Sequence, residues 1–252
     1  MAGVSSSRGA LVVLQCIALL ALVGWGAAVW SSSVHQRPAT ERYAREDVAP
    51  EPTASPEPPV ATPAVPPALP ISARIDPTWL DTVSLRTGIP RTALAAYAGA
   101  ASVLAEQSPG CHLGWNTLAA IGHLESDDGR DGGAVLSDDG YPSVPILGPA
   151  LDGGAFAGIH DSDGGAWDGD TVWDHAVGPF QFIPETWRRW GADGNGDGKQ
   201  DPNQIADAAL AAAHYLCHAG DLSTVDGWRR AVLSYNHSER YVDDVARAAN
   251  SL

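Results

Sequence analysis

Apolar residues between positions 73 and 252 recur mostly every three or four residues, the spacing that places them on one face of an α-helix. Asp76 followed by Pro77 indicates a helix start, because Asp caps the first backbone amides and proline suits the first turn. Gly88 indicates a helix end, since glycine readily adopts the left-handed conformation found there. The pattern predicts helices over residues 76–88, 91–106, 115–126, 183–187, 206–218, 228–234 and 238–249. We therefore expect a mainly α-helical domain.

The segment between residues 126 and 174 interrupts the helical pattern. It is rich in Gly and Asp and contains only brief apolar runs, such as residues 144–147. A loop of this length without regular structure is uncommon in a compact domain and is usually functional. We expect short hairpins and turns that form one wall of a cleft. A surface insertion with no part in the site is the alternative.

The N-terminal part of the chain has a different composition. Residues 1–9 contain one charged side chain and residues 10–30 contain none, a length that suits a membrane-spanning helix. Residues 31–72 are rich in Pro and Ala and are expected to form a disordered spacer, because such a segment cannot bury a core. The sequence thus predicts a cytoplasmic N-terminus, a membrane anchor, a spacer and one folded domain over residues 73–252. A cleaved export signal is the alternative to the anchor.

The charge of the chain limits its partners. The formal net charge is −15, and the sequence contains no cluster of Lys and Arg. Duplex nucleic acid is bound through such clusters, so we expect no nucleic-acid partner.

Two cysteines, Cys111 and Cys217, lie outside the apolar N-terminal run. An anchored or exported domain faces an oxidising exterior, where such cysteines form disulfides. We expect these two to pair. The alternative is two free thiols, in which case Cys217 could bind zinc together with His214 and His218, two imidazoles one helical turn apart.

Glu125 is the acidic residue whose position most favours catalysis. Helical periodicity places it in one narrow arc with Leu118, Ile121 and Gly122, so its carboxyl group faces the side expected to be buried. Burial disfavours the ionised form and raises the pKa of a carboxyl group, which can then donate a proton near neutral pH. We interpret Glu125 as a candidate general acid. The alternative is a partly exposed residue near a helix end.

The segment beginning at residue 193 has the sequence of a calcium-binding loop. Its first, third and fifth positions carry side-chain oxygens, its sixth is glycine and its seventh offers a backbone carbonyl, as in an EF-hand. The oxygen ligands would be Asp193, Asn195, Asp197 and the carbonyl of Lys199. The twelfth position is Gln204 where an EF-hand has glutamate, so Asp201 or Asp207 must complete the site. We predict an EF-hand-like Ca²⁺ loop, with a metal-free Asp/Gly turn as the alternative.

Two turns combine amide and aromatic side chains as a sugar-binding cleft does. Gln181 and Phe182 lie in a turn before a helix, and Tyr235 and Asn236 lie between two helices. Sugar rings stack on aromatic faces, while their hydroxyl and acetamido groups form hydrogen bonds with amides. Core packing is the alternative role of the aromatic residues.

These segments together resemble the membrane-bound lytic transglycosylase B family, glycoside hydrolase family 103, in its actinobacterial form. The similarity covers about residues 88–249 and rests on four motifs in order: residues 121–126, residues 178–187, the calcium loop with Asp207, and Tyr235-Asn236 with Tyr241. The resemblance implies a lysozyme-like α+β fold that acts on the glycan strand of peptidoglycan. It implies Glu125 as the catalytic acid and Asp207 as the residue that completes the calcium site. The implied substrate-binding residues are Gln181, Phe182, Tyr235, Asn236 and Tyr241.

The implied reaction is cleavage of the β-1,4 bond between N-acetylmuramic acid and N-acetylglucosamine, with formation of a 1,6-anhydro sugar. Glu125 would act first as acid and then as base, with a structural Ca²⁺ and no organic cofactor. A hydrolytic muramidase and a non-catalytic wall-binding or divisome scaffold are the alternatives. Asp127 and Asp128 could position a water and so favour hydrolysis. We expect the domain to lie outside the cytoplasm, anchored to the cell membrane or, alternatively, secreted.

Overall fold

Seven α-helices form the framework of the part of the chain that the structure describes. The structure, a computed structural model, describes residues 69–154 and 158–252. The helices are α1 (Pro77–Thr87), α2 (Arg91–Gln107), α3 (Trp115–Ser126), α4 (Pro184–Trp190), α5 (Ile205–Cys217), α6 (Val225–Tyr235) and α7 (Glu239–Ala249). Within the described ranges, β-structure is limited to isolated antiparallel bridges. The predicted mainly helical class is therefore confirmed.

Capping residues set the ends of the helices. The carboxylate of Asp76 accepts a hydrogen bond from the first turn of α1, and Gly88 ends this helix with a φ of 76°. Helix α6 begins three residues before the predicted residue 228, because the Thr224 hydroxyl accepts a hydrogen bond from the Gly227 amide at 3.1 Å. A glycine in the first turn weakens the helical signal, so the sequence pattern placed this start too late.

The core forms where α2 packs along the alanine-rich helix α5. Every residue of α5 from 205 to 213 is buried, including the carboxylate of Asp207. Small side chains let the two helices approach closely. Gly99 of α2 serves the same purpose at another contact, because a Cβ there would overlap the backbone of Ile71.

Helix α3, which carries Glu125, packs against α2, α5 and α7. Leu118, Ile121 and Gly122 are buried, as the helical period predicted. Gly122 allows the close contact with α2, since a Cβ at this position would overlap the hydroxyl group of Tyr97. Helix α3 is thus held between α2 and α5 on one side and α7 on the other.

The Gly/Asp-rich segment folds as turns joined by isolated bridges. Backbone hydrogen bonds of 2.8 Å run from Gly178 to the Ile146 carbonyl and from Gly148 to the Ala176 carbonyl. These bonds attach the segment to the chain just before the Gln181 turn. The segment is therefore part of the surroundings of that turn.

Cys111 and Cys217 form a disulfide, as predicted, with their Cα atoms 5.3 Å apart. Cys111 precedes α3 and Cys217 ends α5, so the bond connects the start of one helix to the end of the other. A disulfide leaves no thiolate for a metal, which removes the zinc alternative at His214 and His218.

The N-terminal predictions lie mostly outside the described residues. This holds for the anchor over 10–30 and for the spacer up to residue 68. The predicted spacer ends at residue 72, and Ile71 near its end is already part of the core: it is 4% exposed, and its amide donates to the Gly194 carbonyl at 2.9 Å. The Ile71 side chain packs beside Gly99 of α2, so the folded domain extends to this residue. None of the described helices is long and apolar enough to cross a membrane.

Candidate active site

Glu125 lies in the last turn of α3 with its side chain half-buried. Burial raises the pKa of its carboxyl group to about 7, although a hydrogen bond from Tyr241 opposes this shift. Near neutral pH the group can therefore both carry a proton and release it. This is the property that a general acid–base group needs.

Tyr241, in the first turn of α7, holds the carboxyl group of Glu125. Its hydroxyl donates a hydrogen bond of 2.6 Å to Oε1 of Glu125. Tyr241 is 4% exposed, so its ring offers little surface to a ligand. From the sequence we predicted that Tyr241 binds substrate. Its contacts fit the orientation of Glu125 instead, and we revise the assignment accordingly.

The turn that contains Gln181 is joined to α3 beside Glu125. The Ser126 hydroxyl donates to the Pro179 carbonyl at 2.7 Å, and the Gln181 side-chain amide donates to the Gly178 carbonyl at 2.9 Å. Gln181 has a φ of 51°, a conformation that costs energy for a residue other than glycine and that concentrates at functional sites. Ser126 was not identified from the sequence, although it directly follows Glu125.

Tyr235 and Phe182 pack beneath this turn. Phe182 is 3% exposed and contacts Tyr235 edge to face, with ring centroids 6.1 Å apart. The Tyr235 hydroxyl donates to the Phe180 carbonyl at 2.7 Å. Burial, and then the negative charge of Glu125, raise the pKa of Tyr235 well above its ordinary value. Phe182 thus supports the site as a core residue, which revises its predicted sugar contact, while Tyr235 lies within electrostatic reach of Glu125.

Asn236, which follows α6, has a buried side-chain oxygen without a partner. Among the described residues, Oδ1 of Asn236 is one of two buried side-chain atoms that form no hydrogen bond. An unpaired buried acceptor costs about 1–3 kcal/mol, so a ligand that donates an N–H or O–H there would stabilise the site. This position fits the predicted role of Asn236 in substrate binding.

Asp127 and Asp128, directly after Glu125, are tied into a separate cluster. Asp128 is 1% exposed and accepts a hydrogen bond from the Tyr97 hydroxyl at 3.1 Å. Arg130 lies 3.0 Å from Asp127 and 3.4 Å from Asp128. The hydrogen bond with Asp128 is the main cause that raises the pKa of His123. Both carboxylates therefore have structural partners.

Replacing Asp128 by asparagine should affect stability more than chemistry. The amide keeps the size of the side chain but loses the charge that faces Arg130, so we expect the free energy of unfolding to fall by about 1–3 kcal/mol. Asp127→Asn, at an exposed position, is the matched control and should change it by less than about 0.5 kcal/mol. Chemical denaturation measures both. A catalytic loss in either variant as large as that of Glu125→Gln would contradict the structural assignment.

The predicted calcium loop folds around the first turn of α5. The carboxylate of Asp207 accepts hydrogen bonds from the amides of Gly194, Asn195 and Asp201 at 2.8, 3.0 and 2.9 Å. The side-chain oxygen of Gln204 instead accepts the first backbone amides of α5. Asp207, rather than the residue at the twelfth position, is thus the side chain that contacts the loop.

The acidic side chains of this loop bind backbone amides of the loop. The Asp193 carboxylate accepts hydrogen bonds from the amides of Gly196 and Gly198 at 2.7 and 2.8 Å, which folds the loop around it. Burial raises the pKa of Asp207 to about 6, and the negative charge of Asp193 adds to the shift. A calcium ion would offset both effects, and the side-chain and carbonyl oxygens of the loop are the ligands it prefers.

The chain after this loop supports the Gln181 turn. Gly178, with a φ of 75°, lies so close to Pro202 that a Cβ would overlap the Pro202 carbonyl oxygen. Only glycine combines this conformation with so close an approach. Movement of the loop would therefore displace the Gln181 turn.

Comparison with models of known protein families gives a match. Residues 165–232 match the transglycosylase SLT domain, a range of about a quarter of the chain. The range contains the Gln181 turn and the predicted calcium loop; Glu125 precedes it, and Tyr235 follows it. No curated protein and no solved structure matches the chain. With the helical architecture, the match is consistent with a lysozyme-like domain and supports a lytic transglycosylase family for this chain.

Proposed function

We propose that this protein is a lytic transglycosylase that cleaves the β-1,4 bond between N-acetylmuramic acid and N-acetylglucosamine in peptidoglycan. The observation that carries the proposal is the half-buried Glu125, whose pKa is raised to about 7 and whose Oε1 accepts the Tyr241 hydrogen bond. The SLT-domain match supports the same class of enzyme. The order of the four sequence motifs supports the finer assignment to the membrane-bound B family, glycoside hydrolase family 103, in its actinobacterial form.

In the first step, protonated Glu125 donates its proton to the oxygen of the scissile glycosidic bond. Tyr241 occupies Oε1, so the transferred proton is held on Oε2. The bond between C1 of the muramoyl sugar and this oxygen breaks, and the N-acetylglucosamine part leaves with the proton. The carbonyl oxygen of the substrate's own acetamido group stabilises the positive charge at C1, so no second protein carboxylate is needed.

In the second step, ionised Glu125 takes the proton from the 6-hydroxyl of the same muramoyl sugar. The freed oxygen bonds to C1, the acetamido oxygen is released, and a 1,6-anhydro sugar forms. Glu125 ends the cycle protonated. A pKa near 7 suits both steps, because neither proton transfer is strongly uphill at neutral pH.

Gln181 and Asn236 are proposed to bind the substrate. The strained Gln181 turn is joined to α3 through Ser126, and the unpaired oxygen of Asn236 can accept a hydrogen bond from a sugar N–H or O–H. Tyr235 is proposed to line the cleft beside them.

The domain is proposed to work outside the cytoplasm. The Cys111–Cys217 disulfide supports this location, because such bonds persist in oxidising surroundings. The predicted N-terminal anchor over residues 10–30 would hold the domain at the cell membrane, with export after signal cleavage as the alternative.

The pH dependence of cleavage tests the acid role of Glu125. Purified peptidoglycan is incubated with the full chain at a series of pH values, and released soluble fragments are quantified. Because the general acid must be protonated, the rate should fall as the pH rises through about 7, the value to which burial raises the pKa of Glu125. A rate that stays constant up to pH 9 would contradict this role. No release at any pH would refute the enzyme and favour a non-catalytic wall-binding protein.

Calcium is proposed as a structural ion held by Asp193, Asn195, Asp197, the Lys199 carbonyl and Asp207. When bound, it would neutralise the carboxylates of Asp193, Asp197 and Asp207 and so keep the Gln181 turn in place.

Removal of calcium should lower the melting temperature of the full chain. An ion that binds only the folded state adds about 2.7 kcal/mol of stability at one hundred times its dissociation constant. Thermal unfolding with calcium and with chelator measures the difference. The double variant Asp193→Ala/Asp197→Ala should lose the response, while Asp226→Ala, an exposed control in α6, should keep it. Identical transitions with calcium and with chelator would count against the site.

A further inference from the structure

Two stacked rings on the Gly/Asp-rich segment lie apart from the hydrophobic core. His160 and Trp173 have ring centroids 4.3 Å apart and planes inclined by 18°. They are also partners in an antiparallel bridge, so their side chains lie on the same face. His160 is exposed and Trp173 is half-buried. Of the tryptophans at 167 and 173, Trp167 packs against the core and Trp173 does not. Core stability therefore does not account for the ring of Trp173.

Backbone hydrogen bonds join the two stretches of chain that carry the rings. The amide of Asp161 donates to the Val172 carbonyl at 3.0 Å, and the amide of Asp174 donates to the Ile159 carbonyl at 3.0 Å. The same stretch of chain leads directly to Gly178 at the start of the turn. At no more than roughly 3.6 Å per residue, Trp173 lies at most about 18 Å from Gly178. The rings are thus within reach of a polymer that occupies the site at Glu125.

Buried polar contacts next to Trp173 hold it in place. Asp174 is fully buried, and its two oxygens accept hydrogen bonds of 2.8 Å from the backbone amide and the hydroxyl of Ser162. His175 hydrogen-bonds the Gly148 carbonyl through Nδ1, also at 2.8 Å. A ring whose position is already fixed before binding loses little conformational freedom when a ligand stacks on it.

The surroundings of the rings suit a neutral sugar. Asp161 directly follows His160, and the Asp170 carboxylate accepts hydrogen bonds from the amides of Val172 and Trp173 at 2.7 and 3.3 Å. Carboxylates repel anions but accept hydrogen bonds from hydroxyl groups. Aromatic rings provide an apolar surface for the face of a pyranose ring. The combination favours uncharged N-acetylated sugar rings of a glycan strand.

We infer that His160 and Trp173 form a second carbohydrate-binding position, which contacts the glycan strand beyond the sugars bound at Glu125. This inference rests on the proposed function, because the strand must be the substrate of that site. A sugar ring stacks on the surface that the two rings expose, and the contact with His160 orients the indole. The Gly/Asp-rich segment then extends the cleft along the strand, and long strands bind more tightly than short ones.

Binding of soluble glycan fragments of increasing length tests this position. The full chain carrying Glu125→Gln is used, so that fragments bind without being cleaved, and affinities are measured by calorimetry. Adding Trp173→Ala should weaken the binding of long fragments by about 3- to 10-fold, the range for one lost aromatic contact. The affinity for a single disaccharide should stay unchanged. His160→Ala should give a smaller loss, and Trp173→Phe should keep most of the affinity.

The neighbouring Val172 provides a matched control. It is 56% exposed and points to the opposite face of the paired segment, so Val172→Ser should not change the affinity for any fragment. Circular dichroism checks that each variant is folded; should Trp173→Ala fail to fold, the loss on His160→Ala decides the question. Equal binding of long fragments by the parent and by the ring variants would overturn the second position while leaving the proposed function intact. No glycan binding by the Glu125→Gln parent would overturn both.

Discussion

Glu125→Gln should abolish glycan cleavage and leave the fold intact. The amide has nearly the shape of the carboxyl group, and its oxygen can still accept the hydrogen bond from Tyr241. It cannot donate a proton to the leaving oxygen or take one back from the 6-hydroxyl. General acid–base catalysis usually contributes about 10²- to 10⁴-fold, so the rate should fall by at least that factor. Release of soluble fragments from purified peptidoglycan measures the loss.

Two further variants define what this result means. Glu106→Gln removes an exposed carboxylate that pairs with Arg74 and should keep the wild-type rate. Tyr241→Phe removes the hydrogen bond that lowers the pKa of Glu125, so the alkaline decline of the rate should move to higher pH. Near-wild-type turnover by Glu125→Gln would remove this residue from the mechanism.

Loss of the Cys111–Cys217 disulfide should lower the free energy of unfolding by roughly 2–5 kcal/mol. The two cysteines are 106 residues apart in sequence, so the bond restricts a long loop of the unfolded chain. It also connects the start of α3 to the end of α5, and its loss should loosen the Glu125 helix. Chemical denaturation with and without reductant measures the change.

A double variant, Cys111→Ala/Cys217→Ala, separates the disulfide from other effects of reductant. It should have the stability of the reduced protein and should not respond to reductant. Cys16→Ser in every sample removes the third cysteine of the chain. Equal stability of the oxidised protein and the double variant would show that the bond does not stabilise the domain.

Features set by neighbouring residues were predictable from the sequence. Helix ends follow from caps within one turn, as at Asp76 and at Ser238, whose hydroxyl accepts a hydrogen bond from the first turn of α7. The position of Glu125 on the buried side of α3 follows from the helical period alone. The pairing of the two cysteines followed from composition and compartment, without knowledge of the fold.

Features set by contacts between distant segments were not predictable. Tyr241 reaches Glu125 across 116 residues and Ser126 reaches Pro179 across 53, and both contacts depend on how whole helices pack. Asp128 stands in a run of turn-forming residues that normally face water, yet Tyr97 and its neighbours bury it. The Gly/Asp-rich segment has no periodic pattern because bonds between carboxylates and backbone amides, rather than apolar faces, hold much of it together.

The mass of the fragments released from purified peptidoglycan tests the central claim most directly. If the 6-hydroxyl of the muramoyl sugar closes on C1, each new end is a 1,6-anhydro sugar, lighter by one water than the product of hydrolysis and without a reducing end. We predict that the wild-type full chain releases anhydro fragments and that Glu125→Gln releases none. Fragments heavier by one water, with reducing ends, would contradict the proposed mechanism and identify a hydrolase.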